Sequence, residues 1–312
     1  MLSEDNADIS AKCLLCNGAA GELRFPYSTI WNNKRFNHLA CKDCGATFVS
    51  PLPNDADFAA MYSQESYHDL HYAPEHDIAG SGALARVDTL LKSGGRLLDY
   101  GCGNGAFLKE AKRAGYEAEG IELDKATIAQ AAASSECLVH SLDEALTAGL
   151  RFDIIHLGDV LEHLPHPANT LNILDNLLAP GGVYFIEGPL EDNPGVVLFA
   201  SRLFGRIKRQ VKPGSIGAFP PYHLTRVSAK QQQRFFIDSG YDIQFFITRE
   251  DGWPYRSTSS APFGKAARIR HAIGGIGIAT AAIGNRFALK LGNRFIAIVQ
   301  PATMEASGQH RR

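Results

Sequence analysis

Four cysteines stand in two pairs, Cys13-x-x-Cys16 and Cys41-x-x-Cys44-Gly45, with 24 residues between them. A two-residue gap lets both thiolates of a pair reach one ion. Two such pairs complete a closed tetrahedral set, which suits structural zinc better than catalysis. In so short a segment, metal ligation would replace a missing apolar core. Disulfides are the alternative. The acidic, polar start MLSEDNADIS has no secretory pattern, which favours a reducing, cytoplasmic setting and therefore metal. Cys102 and Cys137 are different: one sits inside a glycine loop, the other opens a strand, and both read as small packing residues.

The second constellation is Leu97-Leu98-Asp99-Tyr100-Gly101-Cys102-Gly103-Asn104-Gly105. An apolar strand ends near an acid, and three alternating glycines turn the chain into a helix. Glycine permits positive φ and close approach of a ligand to the backbone, and the helix start offers free N–H groups. The spacing is G-x-G-x-G rather than the G-x-G-x-x-G of dinucleotide folds, and an acid before the loop suits an ammonium group better than a phosphate. Glu122 ends the next strand, seventeen residues past Gly105. A carboxylate there can accept from both hydroxyls of a ribose. S-adenosylmethionine, with an amino acid at one end and a ribose in the middle, satisfies both features. A bare strand–helix turn is the competing reading of the glycines.

Methyl transfer to a hydroxyl needs an aligned acceptor and a route for its proton. His163, in Asp159-Val160-Leu161-Glu162-His163-Leu164-Pro165-His166, follows a strand end and is the first candidate base. It is equally readable as a partner packed beneath the cofactor. His223, in Pro220-Pro221-Tyr222-His223-Leu224, either orients the acceptor or packs at a helix entry on Phe235. Tyr67, His68 and Tyr72 are candidates for a lid.

These residues need a scaffold, and the pattern supplies one. Strands are expected at Arg96–Gly101, Tyr116–Glu122, Cys137–His140, Phe152–Gly158, Gly182–Glu187, Tyr241–Thr248 and Phe295–Gln300, with helices starting near Gly105, Lys125, Ala168 and Ser228. Apolar strands alternating with helices predict an α/β fold with a doubly wound, mostly parallel sheet of seven strands. The organisation expected is a tail and Cys₄ module over 1–60 and a connector over 61–93. A catalytic domain follows over 94–300, with inserts near 190–222 and 250–291, and then a tail over 301–312.

Taken together, the chain resembles the class I S-adenosylmethionine-dependent methyltransferases. LLDYGCGNG matches that family's first motif, GIE its second acidic position, RFDIIHLGDVLEHL its fourth-strand region and LLAPGGVYFIEGP the turn into its fifth strand. The resemblance covers roughly residues 94–300 and implies that the last strand is antiparallel. It further implies that Asp99, Gly101, Gly103 and Gly105 hold the methionine end, Glu122 the ribose, and Ser141 and Leu142 border the adenine. Gly158 and Asp159 would lie at the end of strand four, and the segment around His223 would border the acceptor pocket. The Cys₄ segment resembles the N-terminal zinc module of some members, sugar-modifying ones among them. D-x-x-E-H resembles the E-x-x-E-H of ubiquinone-pathway and small-RNA end methyltransferases, whose side chains bind a divalent ion. Here that implies Asp159, Glu162 and His163, the first acid one methylene shorter.

Charge bears on the acceptor. Residues 1–192 carry 13 Lys+Arg against 28 Asp+Glu, whereas residues 193–312 carry 18 against 5. The near-neutral total argues against wrapping nucleic acid with the whole surface, while the basic end suggests an anionic contact. Arg202, Arg206 and Arg209 could share a helix face and clamp phosphate, although a solvated helix face is the commoner outcome for such a run. The apolar run HAIGGIGIATAAIG is too short for the roughly 20 residues of a membrane span. It is expected against the sheet, with a membrane surface or an oligomer interface as alternatives. The expected function is therefore methylation of a hydroxyl on a small or glycan-type acceptor, a nucleotide- or lipid-linked sugar first. A quinone or secondary-metabolite acceptor, an RNA-binding protein and a cofactor-binding regulator are the rivals.

Overall fold

A computed structural model describes residues 11–62, 83–212, 216–252 and 264–302. Tyr67, His68 and Tyr72, the expected lid, lie outside these residues. An N-terminal sheet is formed by β1 (Ala20–Trp31), β2 (Lys34–Cys41) and β3 (Thr47–Ser50), all antiparallel. The larger sheet contains β4 (Arg96–Tyr100), β5 (Glu117–Ile121), β6 (Leu138–His140), β7 (Phe152–Gly158) and β8 (Leu178–Pro189). A two-residue strand, β9 (Thr225–Arg226), returns to the small sheet. β10 (Tyr241–Arg249) and β11 (Arg294–Pro301) complete the larger one.

The larger sheet has the order β10-β11-β8-β7-β4-β5-β6. β11 runs antiparallel to both neighbours, and the other pairings are parallel. This is the class I methyltransferase fold, and all seven expected strands are present. The central strands are near-continuous apolar runs because both faces are covered: Leu97, Leu98, Ile154, Ile155 and Leu157 are fully buried. Covering them are α3 (Ala106–Arg113), which buries Phe107, Leu108 and Ala111, and α6 (Pro167–Leu174), which buries Leu171 and Leu174. Before these come α1 (Asp55–Met61) and α2 (Ala83–Val87). α4 (Lys125–Ser135) and α5 (Leu142–Thr147) lie between α3 and α6. The strand order reverses between β4 and β7, so a crevice opens at their carboxyl ends, where ligands of such sheets bind.

The small sheet is sewn into the larger unit. β3 pairs with β9, so Thr47 faces Arg226 and Phe48 faces Thr225. Val49 donates its N–H to the Leu224 carbonyl at 2.9 Å, and Leu224 donates to the Glu162 carbonyl at 2.7 Å. The segment that holds His223 is thereby fixed from both sides.

In the basic half one alternative is set aside and one expectation is corrected. α7 (Val196–Val211) does not present Arg202, Arg206 and Arg209 as a phosphate clamp. Arg202 pairs with Asp192 at 3.1 Å, and the Arg209 guanidinium lies 4.8 Å from the centroid of the Tyr27 ring. The cations are drawn apart because one side of the helix packs on β1. α8 (Ala229–Asp238) follows, entered through a capping box of Ser228 and Gln231. The apolar run expected against the sheet forms α9 (Gly264–Arg286), and only its small residues are buried, at Gly274, Gly277, Ala281 and Gly284. Close packing on α7 excludes a side chain at Gly277, where a Cβ would lie 2.9 Å from Val197, and at Gly284 a Cβ would lie 2.5 Å from Leu291. The isoleucines at 269, 276 and 283, spaced by seven, point outward.

Candidate active site and thiol cluster

The glycine loop joins β4 to α3. Gly101, Gly103 and Gly105 have φ of 75°, 52° and 79°, the left-handed region that disfavours a side chain. The Gly101 and Cys102 N–H groups donate to the Ile121 carbonyl at 2.8 and 3.2 Å, tying the loop to β5. Just beyond β5, Glu122 accepts from Gly103 N–H at 3.0 Å on one oxygen and from Leu123 N–H at 2.8 Å on the other. Each oxygen keeps a further lone pair for a ligand. Ser141 caps α5 through the Glu144 N–H, and Leu142 packs on the central core. Both stand at the end of β6, where Glu122 N–H donates to the His140 carbonyl.

Asp99 is buried beneath this loop, its Oδ1 2.7 Å from His156 Nδ1. The imidazole of His156 stacks on Phe107 with ring centroids 3.7 Å apart, and its Nε2 lies 3.7 Å from Glu187. Burial alone would lower the His156 pKa, but the carboxylates of Asp99 and Glu187 outweigh it and raise the pKa to about 9. Asp99 therefore braces the loop through a buried ion pair. A Cβ on Gly158 would sit 2.7 Å from the His156 ring, so only glycine fits there. The ion pair has a consequence for stability. The folded pKa exceeds the ordinary 6.5, so the contribution is complete below that pH and is lost as pH rises towards 9. Its ceiling is about 3 kcal/mol. Urea unfolding at pH 6.5 and pH 9 is expected to show this loss in the native chain and not in His156→Phe.

Asp159, with φ of 53°, places both carboxylate oxygens 2.8 Å from Arg294 Nη2. Burial favours its neutral form, yet the guanidinium holds the carboxyl below its usual range. Beside it, Leu161–His163 make a single 3₁₀ turn after β7. His163 Nδ1 lies 2.9 Å from the Tyr222 carbonyl and 3.0 Å from Tyr62 Oη. A carbonyl only accepts, so Nδ1 carries the proton and Nε2 the lone pair. His223 lies against His163, the rings edge to face at 4.9 Å, and its Nδ1 is 2.9 Å from Glu191, which also pairs with Arg226. Glu162 is buried, with Oε1 3.8 Å from His163 Nε2 and no hydrogen-bond partner of its own. One ligand atom each of Glu162, His163 and His223 lies within 4.8 Å of the other two. The triplet expected from the motif thus changes membership: His223 joins, and Asp159 is withheld by Arg294. Burial drives the His163 pKa down to about 3, and burial with the nearby Asp159 charge drives Glu162 up to about 8. Burial opposes protonation of His223 too, but Glu191 raises its pKa to about 9.

Cys13, Cys16, Cys41 and Cys44 also converge, with all four sulfurs within 4.8 Å. Cys13 and Cys44 sulfurs are 3.7 Å apart, and those of Cys16 and Cys41 are 3.5 Å apart. A disulfide would need about 2.05 Å, whereas Zn–S bonds of about 2.3 Å set tetrahedral edges near 3.8 Å. The N–H groups of Asp43 and Cys44 both point at the Cys41 sulfur.

A family model described as a methyltransferase domain matches residues 72–243. The chain belongs to this family of methyltransferases. A ubiquinone biosynthesis O-methyltransferase of Nitrosococcus oceani is 34% identical over 169 residues, covering 49% of this methyltransferase and 69% of that protein. One from Pseudomonas aeruginosa is 26% identical over 159 residues, covering 46% of this chain and 66% of the relative. The methyltransferase thus spans about two-thirds of the length of these relatives. Among solved structures, a Burkholderia thailandensis 1,6-didemethyltoxoflavin-N1-methyltransferase shares the fold at 13% identity. Its TM-score is 0.51, over 91% of this chain and all of that one.

Sequence reasoning missed four residues of the candidate site: His156, Arg294, Glu191 and Tyr62. His156 left a signal, a lone histidine within the apolar strand RFDIIHLGD. Arg294 opens β11, and Glu191 follows the LLAPGGVYFIEGP motif closely, but nothing local marks either as a partner of Asp159 or His223.

Proposed function

We propose that this methyltransferase carries a methyl group from S-adenosylmethionine to a phenolic hydroxyl of a small aromatic acceptor of the quinone-precursor type. Glu162, His163 and His223 would hold a divalent cation beside that hydroxyl. The observation behind this reading is the orphaned Oε1 of Glu162. It faces two imidazoles whose Nδ1 atoms are already engaged by a carbonyl and a carboxylate. Buried polar atoms are ordinarily paired, and histidines oriented through the far nitrogen are the usual support of a metal site. The names of the relatives favour the quinone-type acceptor over the sugar first expected. The basic face that suggested a sugar phosphate has Arg202 and Arg209 engaged elsewhere.

A bound divalent cation would act as a Lewis acid, favouring the ionised form of an acceptor hydroxyl. The chain's own residues do the rest. Glu122 and the glycine loop would hold the nucleoside and amino-acid ends of the cofactor, which would supply the methyl group at the crevice. Transfer would require the acceptor hydroxyl to release its proton to solvent and its oxygen to attack in line, the O–C bond forming as the C–S bond breaks and the electron pair returning to sulfur. His163, whose pKa burial lowers to about 3, suits the holding role of a neutral ligand better than that of a base, which supports this reading. Tyr62 and Tyr222, with rings 6.2 Å apart, stand beside His163 as aromatic walls for a planar acceptor.

The Cys₄ cluster is proposed to bind structural zinc. Purified protein is expected to contain about one zinc in that cluster and a second divalent ion at the histidine site. His223→Ala should then lose the second ion and keep the first, as elemental analysis would show. Chelator-treated enzyme should lose activity on dihydroxybenzoate-type acceptors and regain it on adding a divalent ion, while S-adenosylhomocysteine binding persists. Undiminished activity after chelation, or methylation confined to nucleotide sugars, would overturn this reading.

A further inference from the structure

α7 and α9 give the molecule an exposed face that combines aliphatic side chains with cations. On α7, Phe199, Leu203, Ile207 and Val211 recur every four residues and are 70%, 44%, 46% and 72% exposed. On α9, Ile269, Ile276 and Ile283 are 58%, 54% and 59% exposed, and Phe287 follows just past its end. Scattered apolar residues on a surface need no explanation, but regular rows on two helices packed against each other mark an interaction site. The charges are one-sided. Neither helix contains an acid, and residues 252–304 contain none. Arg206 and Lys208 on α7 are exposed, as are Lys265, Arg268, Arg270 and Arg286 on α9. The acids beside these helices are engaged: Asp192 pairs with Arg202, and Glu250, which lies against Gly277 of α9, accepts from the Gly252 N–H at 2.9 Å.

We infer that this face docks on an anionic phospholipid bilayer, its isoleucines, leucine and phenylalanine entering the interface and its cations meeting the headgroups. Amphipathic helices rich in Lys and Arg on their polar side lie in the membrane plane in this manner. A second copy of the chain fits less well, because pairing two such faces sets cation against cation. Nucleic acid fits less well too, since the exposed residues are mainly aliphatic and offer few rings for stacking. No helix among the described residues is long and apolar enough to cross a membrane, so any membrane contact through these helices is superficial. Docking through this face does not depend on which acceptor is methylated.

The test is sedimentation of the full chain with vesicles. Phosphatidylcholine vesicles containing about one-third phosphatidylglycerol are expected to pull down most of the protein at low salt. Pure phosphatidylcholine should retain several-fold less, and high salt should weaken but not abolish the anionic binding. The double variant Ile207→Glu/Ile276→Glu should lose at least about tenfold in vesicle affinity while binding S-adenosylhomocysteine normally, which separates a lost surface from a lost fold. Equal binding to both vesicle types, or none to either, would overturn the inference. So would a concentration-dependent dimer that the same variant dissolves, or RNA binding that the same variant removes.

Discussion

Replacing Glu162 with Gln is expected to lower turnover by about 10³-fold while leaving S-adenosylhomocysteine affinity within about twofold. The substitution is nearly isosteric. Burial and the Asp159 charge raise the Glu162 pKa to about 8, so in the absence of an ion the native side chain is itself neutral at pH 7. Gln therefore reproduces the unliganded state of the folded protein and is expected to keep its thermal midpoint close to that of the native chain. What Gln lacks is the anionic oxygen that would complete a ligand set with His163 and His223. The loss is thus expected in kcat rather than in folding or cofactor binding, and the second metal ion should disappear with it. Glu191→Gln is the companion measurement. Glu191 touches neither cofactor nor acceptor in this reading, but orients His223 through Nδ1. Its removal should weaken divalent-ion affinity by about 10- to 100-fold and be partly rescued by excess metal, as expected of a residue that positions a ligand. Native-like turnover in Glu162→Gln would show that the cluster takes no part in the reaction.

The fold was legible because its signals are local. The central strands β4, β7 and β8 are apolar runs bounded by glycine, proline or charge, and the Cys-x-x-Cys pairs announce their own convergence. The candidate metal cluster was legible only in halves. His163 and Glu162 are neighbours in sequence, but His223 reaches them through the pairing of β3 with β9 and the Leu224–Glu162 hydrogen bond. That contact joins three distant stretches of chain, and no periodicity encodes it. The exclusion of Asp159 was equally hidden, because its partner Arg294 lies 135 residues away on a strand antiparallel to the rest. The charge asymmetry is legible as a total, but the sequence leaves the cation run open between a phosphate clamp and a solvated helix face. A run of cations does not say which of them will find an acid or a ring, and Arg202 and Arg209 each found one.

Glu122→Ala is expected to weaken S-adenosylhomocysteine binding by at least about 10²-fold. Each hydrogen bond to a charged group contributes about 1.5–3 kcal/mol, and two ribose hydroxyls on one carboxylate therefore account for roughly two to four powers of ten at about 1.4 kcal/mol each. The same carboxylate holds the Gly103 N–H at 3.0 Å, so its loss also loosens the loop that receives the amino-acid end. Glu122→Gln separates the two effects. An amide keeps one acceptor oxygen for Gly103 but surrenders the charge, and should fall between the native protein and the alanine variant. Asp99→Asn should behave differently, because Asp99 is buried and pairs with His156 rather than standing free. Removing its charge leaves the His156 imidazolium with Glu187 as its remaining counter-charge at 3.7 Å. The expected signature is a lower thermal midpoint and a His156 that loses its proton nearer neutrality, observable by NMR titration. Isothermal titration of all three variants decides the matter. Glu122→Ala with native affinity would remove the ribose contact from this carboxylate. Asp99→Asn with native stability and greatly reduced affinity would return Asp99 to direct contact with the ligand.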